Sequence, residues 1–99
     1  MREKEVEKRL CDGVKDLGGR AYKFISPGNN GVPDRLVVFP GGHSVFVELK
    51  TDRGALSPLQ KNQIMTLRML GARVHVLYGM EDVKQFLSRY REALKGGKR

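Results

Sequence analysis

The sequence predicts an α/β fold in which a mixed sheet is flanked by helices, in the order α-β-β-β-α-β-α. Three segments repeat apolar residues at every third or fourth position, which is typical of amphipathic helices. Four other segments alternate apolar and polar side chains, or are short apolar runs bounded by turn residues, and these patterns favour strands. The predicted helices span residues 3–17, 58–70 and 81–94, and the predicted strands span residues 20–25, 34–39, 44–50 and 73–78.

Turn and cap residues separate these elements along the chain. Two glycines at 18–19 end the first helix, and the Gly- and Asn-rich segment 26–31 is a loop. The Pro-Gly-Gly sequence at 40–42 turns the second strand back into the third, so these two strands form a hairpin. Ser57 then supplies a helix N-cap, followed by Pro58 at the first helical position.

The chain is small and strongly basic. Its 99 residues carry 19 Lys and Arg against 11 Asp and Glu, a net charge of +8. This balance favours a polyanionic partner, most simply nucleic acid, although a ribosomal or other non-enzymatic binding protein has the same balance. The length predicts one domain over residues 1–95, followed by a basic, flexible tail at 96–99.

Two classes of protein are excluded or disfavoured by the composition. Cys11 is the only cysteine, which excludes an intrachain disulfide and a cysteine-based zinc site. No apolar stretch has the length of a membrane span or of a signal segment, so the expected location is cytoplasmic.

Two short segments place charged side chains where a metal ion and a water molecule could be held together. Asp34 opens the second strand, while Glu48 and Lys50 lie near the end of the third. Because strand side chains alternate between faces, Glu48 and Lys50 point to the same side of the sheet. Two carboxylates that converge near an amine are typical of a metal-dependent hydrolase. Taken singly, either segment is better explained as a turn residue or a solvated strand face, and it is their joint placement on successive strands of a basic domain that favours a site.

Phosphodiester hydrolysis is the chemistry that this arrangement favours. The reaction needs a nucleophilic water at neutral pH and stabilisation of charge on the phosphate, and a hard divalent cation such as magnesium supplies both. Asp34 and Glu48 are the expected carboxylate ligands, with the backbone carbonyl of Leu49 as a third oxygen. Lys50 is expected to orient the water, to help deprotonate it or to stabilise the pentavalent phosphate.

The pattern Pro33-Asp34 … Glu48-Leu49-Lys50, on a strand–turn–strand after an N-terminal helix, resembles the PD-(D/E)XK nuclease superfamily with its restriction endonuclease-like fold. More narrowly, the chain resembles a stand-alone VRR-NUC domain of phage or prophage type over residues 3–94. The bare PD…EXK pattern is common by chance, so the specificity comes from the Leu-Ser-x-x-Gln sequence at 56–60 and the Gly-Ala-x-Val sequence at 71–74. The resemblance implies a magnesium- or manganese-dependent, structure-selective DNA endonuclease.

The same resemblance implies two further site residues. Gln60 corresponds to a family active-site position, and it lies in the first turn of its helix, where amide dipoles favour a phosphate. The family also has a glutamate on the first helix, for which Glu7 is the preferred candidate and Glu3 the alternative. Both acids are also explained as solvated first-turn residues that are favourable to the helix dipole.

Several polar and basic residues outside this constellation are expected to contact DNA. Lysine and arginine bind phosphate oxygens, and a Gly-rich loop lets the backbone approach the DNA closely. The predicted DNA-binding residues are Lys23, Asn30, Arg35, Arg53 and Lys61.

One domain has one site and a limited surface, whereas a two-fold dimer presents two sites to two DNA strands. The sequence therefore predicts a homodimeric endonuclease for branched DNA, with the Holliday junction as the preferred substrate. Three alternatives share much of this evidence. They are a nuclease for flaps, nicked ends or RNA, a non-catalytic basic DNA-binding protein of the same fold, and a small subunit of a larger machine.

Overall fold

The computed structural model describes residues 2–96 and confirms the predicted element order. The elements are α1 (Glu3–Asp16), β1 (Arg20–Lys23), β2 (Arg35–Phe39), β3 (His43–Lys50), α2 (Pro58–Met69), β4 (Val74–Tyr78) and α3 (Gly79–Gly96). Gly96 ends α3, and the rest of the predicted tail, residues 97–99, lies outside the described residues. None of the helices within residues 2–96 is long and apolar enough to cross a membrane.

The four strands form one mixed sheet in the order β1-β2-β3-β4. β1 pairs antiparallel with β2, and β2 pairs antiparallel with β3 through the turn in which Gly41 and Gly42 take φ values of +87° and +79°. β3 and β4 are parallel, so the chain must cross over between them, and α2 is that crossover. This connection brings the beginning of α2 close to the end of β3.

The main core lies between one face of the sheet and the pair of helices α1 and α3. Alternate residues of β2 and β3 point into it, because strand side chains change face with every residue. Its buried members are Val6, Leu10, Val14, Val37, Phe39, Val45, Val47, Leu49, Leu77, Val83, Phe86, Leu87 and Tyr90. No residue of α2 belongs to this set; its buried residue, Ile64, lies on the other side of the sheet, where Gln60 meets Glu48.

Leu10 is fully buried in the core, so its truncation is expected to be costly. Leu10→Ala should lower the free energy of unfolding by about 3 kcal/mol, because the removed methyl groups leave a cavity that the packed helices cannot close. Urea unfolding followed by circular dichroism measures this loss. Ile25→Ala is the matched control, since that side chain is exposed and its truncation should change stability by less than about 0.5 kcal/mol. Equal losses in the two variants would contradict the packing described here.

Five element boundaries differ from the sequence prediction by one residue, and three differ by two, namely the end of β1 and both ends of α3. β1 ends at Lys23 rather than at residue 25, because the ladder closes with the Phe24 amide donating to the Asp34 carbonyl at 2.8 Å and Pro33 has no N–H to continue it. α3 begins at Gly79, directly after β4, and not at residue 81. Gly79 takes a φ of +78°, and Asp82 accepts a hydrogen bond from the Tyr78 amide at 2.8 Å across the junction.

Candidate active site

Two carboxylates face each other across the strands β2 and β3. Arg35 pairs with Val47 in the antiparallel register, which sets the preceding residue, Asp34, opposite Glu48. The Oδ2 atom of Asp34 accepts a hydrogen bond from the backbone N–H of Leu49 at 2.9 Å. This bond anchors Asp34 at the point where the strand begins and holds its carboxylate beside that of Glu48.

Glu48 is buried, with only 2% of its surface exposed, although it carries an ionisable carboxyl group. Its Oε2 atom accepts a hydrogen bond from Nε2 of Gln60 at 3.1 Å and lies 3.6 Å from the Nζ atom of Lys50. Its Oε1 atom is buried and has no hydrogen-bonding partner among the described residues. A buried acceptor without a partner is costly, so this oxygen fits a site that binds a cation.

The charges around Glu48 also fit a bound cation. Burial, together with the neighbouring Asp34 carboxylate, raises the pKa of the Glu48 carboxyl to about 7, against an opposing effect of the Lys50 amine. The protonated form of Glu48 is therefore favoured up to a higher pH than for an ordinary carboxyl group. A divalent cation between the two carboxylates would reverse this preference and would give Oε1 its partner.

The orientation of Gln60 is set by the start of α2. The Gln60 amide N–H donates to the Oγ atom of Ser57 at 3.1 Å, and the Gln60 Oε1 atom accepts from the Ser57 amide at 2.9 Å, which is a capping box. Because Oε1 is used at the helix cap, the Nε2 atom is the end of the amide that faces Glu48. The Ser-x-x-Gln spacing of a capping box is visible in the sequence, so the reciprocal hydrogen bonds between Ser57 and Gln60 could have been predicted from it.

These side chains open into a cavity of about 300 Å³ at the edge of the sheet. Its walls come from the first turn of α1, the ends of the strands, the connection after β3 and the first turn of α2. The lining residues are Glu3, Asp34, Glu48, Leu49, Lys50, Thr51, Gly54, Ala55 and Gln60. The connection residues Thr51, Gly54 and Ala55 were not among the sequence predictions, since nothing in their own pattern indicates a site.

Of the two helix-1 glutamates, the structure places Glu3 at the cavity and not Glu7, the preferred candidate. The Oε1 atom of Glu7 lies 3.9 Å from the guanidinium of Arg35, away from the cavity, whereas Glu3 lines the cavity. The physical reason is the way α1 lies on the sheet: its first residue reaches the edge where Asp34 begins, and Glu7, one turn further along, reaches β2.

Arg35 is also placed differently from its prediction as a DNA contact. Its side chain is only 14% exposed, and it donates to the carbonyl of Ala21 at 3.3 Å. In the register it is opposite Val47, a core residue, so it lies on the α1 face of the sheet and not with Glu48. Arg35 therefore serves the packing of α1 on β2, and its role as a phosphate contact stays a prediction from the sequence.

The other predicted DNA-binding residues are exposed. Lys23 ends β1, Asn30 lies in the loop before Pro33, Arg53 lies in the connection after β3, and Lys61 follows Gln60 on α2. None of the four lines the cavity. Their positions leave them free to contact a polyanion that approaches the site from outside.

The loop that leads into Asp34 is fitted closely against α2. Gly31 takes a φ of +91°, and a Cβ atom at this position would come within 2.8 Å of the backbone carbonyl of Leu59. Only glycine adopts this conformation without strain and also allows so close an approach. The segment that ends in Asp34 is thereby held against the helix turn that carries Gln60.

The donor set fits magnesium or manganese better than zinc. Within residues 2–96 there is no group of three or more His, Cys, Asp or Glu side chains gathered as a metal site. A cation bound by Asp34 and Glu48 would thus take its other ligands from a backbone carbonyl and from water. Magnesium is commonly held by one or two carboxylates together with water.

Comparisons with known proteins agree on one family. The model of the VRR-NUC domain matches residues 6–81. A protein of Acyrthosiphon pisum secondary endosymbiont phage 1 named "Putative nuclease p44" is 47% identical over 77 residues, which are 78% of this chain and 83% of that protein. A solved VRR_NUC domain superposes with a TM-score of 0.83 at 31% identity and covers 89% of this chain and 96% of its own. A second solved structure, a VRR_NUC domain protein, has a TM-score of 0.71 at 20% identity over 91% of this chain and 88% of its own, which is evidence for the fold alone. The chain therefore belongs to the VRR-NUC family of nuclease domains.

Proposed function

We propose that this nuclease is a divalent-metal-dependent, structure-selective DNA endonuclease that cuts branched DNA, with the Holliday junction as the preferred substrate, and that it acts as a homodimer. The unpartnered Oε1 atom of buried Glu48, beside Asp34, is the observation that carries the metal dependence. The net charge of +8 supports a nucleic-acid substrate. The cytoplasmic location stays a prediction from the sequence.

Asp34 and Glu48 would hold the cation, with the Leu49 carbonyl and Glu3 as further oxygen donors on the cavity wall. When bound, magnesium or manganese lowers the pKa of a coordinated water and stabilises charge on the phosphate.

Lys50 and Gln60 are proposed as catalytic residues that do not coordinate the metal. The Lys50 amine is 3.6 Å from the Glu48 carboxylate and lines the cavity, so it can hold a phosphate oxygen or a water proton within reach of the carboxylates. Gln60 fixes the orientation of Glu48 by donating to Oε2, so that Oε1 would be available to ligate a cation. The exposed residues Lys23, Asn30, Arg53 and Lys61 are the proposed contacts to the DNA backbone.

A cleavage assay on defined DNA structures tests the proposal. End-labelled four-way junction, flap, nicked duplex, linear duplex and single strand would each be incubated with magnesium, manganese or EDTA. We expect cutting that requires metal and is strongest on the four-way junction. Cutting of flaps or nicked ends instead would keep the chemistry and overturn the junction preference. Salt-sensitive binding without cutting in either metal would favour the non-catalytic alternative.

Gln60→Leu is expected to lower the cleavage rate by about 10- to 100-fold, the usual loss when a group that orients a metal ligand is removed. Ser57→Ala is the matched control, because it removes the Oγ acceptor of the capping box but keeps the donor to Glu48. Both variants should lose about 1 kcal/mol of helix-cap stability. Single-turnover rates on the preferred DNA and thermal melting of each variant measure the two effects separately. Equal rate losses in the two variants would assign Gln60 to the helix cap alone.

A further inference from the structure

The face of the sheet that carries Glu48, which we name the site face, is covered unevenly. On the β4 side α2 packs against it and buries Ile64. On the β1 side the same face is open to solvent: Tyr22 is 53% exposed, Arg20 is exposed and Leu36 is only half-buried. An apolar floor therefore continues from the carboxylates toward the β1 edge of the sheet.

The strand register places Tyr22 on the site face. Tyr22 pairs with Leu36, and Leu36 pairs with Phe46. Phe46 and Glu48 are two residues apart on β3, so their side chains share a face. Ala21, the neighbour of Tyr22, packs against the core on the opposite face, as alternation requires. With strands about 4.8 Å apart and about 3.4 Å per residue along a strand, the backbone positions of Tyr22 and Glu48 are roughly 12 Å apart.

The Tyr22 ring differs from the other aromatic rings on this face. The rings of Phe24 and Phe46 pack edge to face, with centroids 5.3 Å apart, and both residues are half-buried. Within the described residues 2–96, the Tyr22 ring packs on no other aromatic ring. It is thus a flat apolar surface that is presented to solvent beside the carboxylate site.

The charges on this half of the site face favour a nucleic-acid strand as the occupant. Arg20 lies two residues from Tyr22 on β1 and shares its face, and neither β1 nor β2 contains an Asp or a Glu. An aromatic ring beside a guanidinium can stack on a base and bind the neighbouring phosphate. A second copy of this chain is a poorer match, because it carries a net charge of +8 itself.

We propose that Tyr22 stacks on an unpaired base of the DNA substrate at the branch point, and that this contact helps to select branched over linear DNA. The inference deepens the proposed function and rests on it. In a linear duplex the bases cover one another, whereas a base at a branch point is unstacked at a lower cost. The separation of roughly 12 Å from Glu48 corresponds to about three nucleotides of a stacked strand. Tyr22 is therefore a specificity-determining residue and not a catalytic one.

Binding titrations in EDTA test the contact without any cleavage. Tyr22→Leu keeps an apolar side chain on the edge strand but removes the ring, and Tyr22→Phe, the matched control, keeps the ring. We expect Tyr22→Leu to bind the best-bound branched DNA at least about 5-fold more weakly than wild type, the loss for one base–aromatic stack. Its affinity for linear duplex, and that of Tyr22→Phe for both DNAs, should match wild type. Unchanged affinity of Tyr22→Leu for branched DNA, equal losses on branched and linear DNA, or a wild type that binds both equally would each overturn the proposal.

Photo-cross-linking tests the stacking itself. 5-Iododeoxyuridine, which joins to a stacked aromatic ring under long-wave ultraviolet light, would replace thymidine at single positions around the branch point. Mass spectrometry of the digested adduct should identify Tyr22 at one or two neighbouring positions, and the adduct should be absent from the same positions in linear duplex. Adducts that form only on other residues would contradict the placement of the base.

The outcomes separate this inference from the proposed nuclease activity. Loss of affinity confined to branched DNA, together with no cutting of any DNA in either metal, would retain the role of Tyr22 and overturn the endonuclease proposal. Metal-dependent cutting of branched DNA at the wild-type rate and selectivity by Tyr22→Leu would do the reverse. Sedimentation equilibrium covers the remaining occupant. A Tyr22→Leu protein that dissociates more easily than wild type and binds all DNAs less tightly would assign the ring to a contact between copies and contradict the stacking.

Discussion

Asp34→Asn should abolish DNA cleavage while leaving the fold and DNA binding intact. The rate is expected to fall on the order of 10³-fold or more, because one of the two carboxylates that would hold the cation loses its charge. The asparagine side-chain oxygen can still accept the hydrogen bond from the Leu49 amide, so the local structure should persist. Removal of a negative charge should leave DNA affinity unchanged or increase it. Cleavage and gel-shift titration on the same four-way junction measure the two properties.

Asp52→Asn is the matched control for that variant. Asp52 lies in the exposed connection after β3, close to the cavity but not part of its lining, and its substitution makes the same change in charge. It should cut at the wild-type rate. An Asp34→Asn protein that cuts as fast as the Asp52→Asn protein would remove Asp34 from the site and with it the proposed metal ligation.

Glu48→Gln should stabilise the metal-free protein at alkaline pH and at the same time eliminate cleavage. The folded protein holds the pKa of Glu48 at about 7, while an unfolded chain releases that proton near 4.5. The unfolded state therefore binds fewer protons between these two values, and wild-type stability falls as pH rises through this window. The loss is on the order of 3 kcal/mol at pH 8, and it is absent below pH 4.5. Glutamine has no proton to release, so the variant should lack this decline.

Urea unfolding in EDTA at pH 5 and pH 8 measures the effect. The stability difference between Glu48→Gln and wild type should be small at pH 5 and approach its full size at pH 8. Addition of manganese at pH 8 should raise the melting temperature of wild type and leave Glu48→Gln nearly unchanged, because only the carboxylate gains a partner for Oε1. Glu92→Gln, an exposed substitution on α3, should follow wild type in both measurements. A pH-independent difference between Glu48→Gln and wild type would contradict the burial of an ionisable carboxyl at this position.

The order of elements and the pairing of Asp34 with Glu48 were predictable, because both depend on local patterns. The Pro-Gly-Gly turn at 40–42 fixes the hairpin, and the hairpin register then brings these two residues opposite each other. Strand alternation also places Arg35 on the same face as Val37. That rule, applied to β2 as it was applied to β3, would have placed Arg35 on the core-facing side of the sheet without a structure.

The helix-1 glutamate could not be assigned in the same way. Periodicity states which residues of α1 share a face, but it does not state how far the helix is displaced along the sheet. That displacement depends on packing between α1, α3 and the strands, and it decides that Glu3 reaches the cavity while Glu7 meets Arg35. The contact of Gln60 with Glu48 depends on tertiary packing for the same reason, even though the capping box of Ser57 and Gln60 is local.

Gly31 has a consequence for how this domain tolerates mutation. It lies on a loop, where substitutions are usually accepted, yet its backbone conformation and its approach to Leu59 leave no room for a side chain. A larger residue would push the loop away from α2, and Asp34 and Gln60 would then move apart although neither had been altered. In a saturation library selected for cleavage, position 31 should therefore be as restricted as the charged positions themselves, while the nearby exposed residue Asn29 varies.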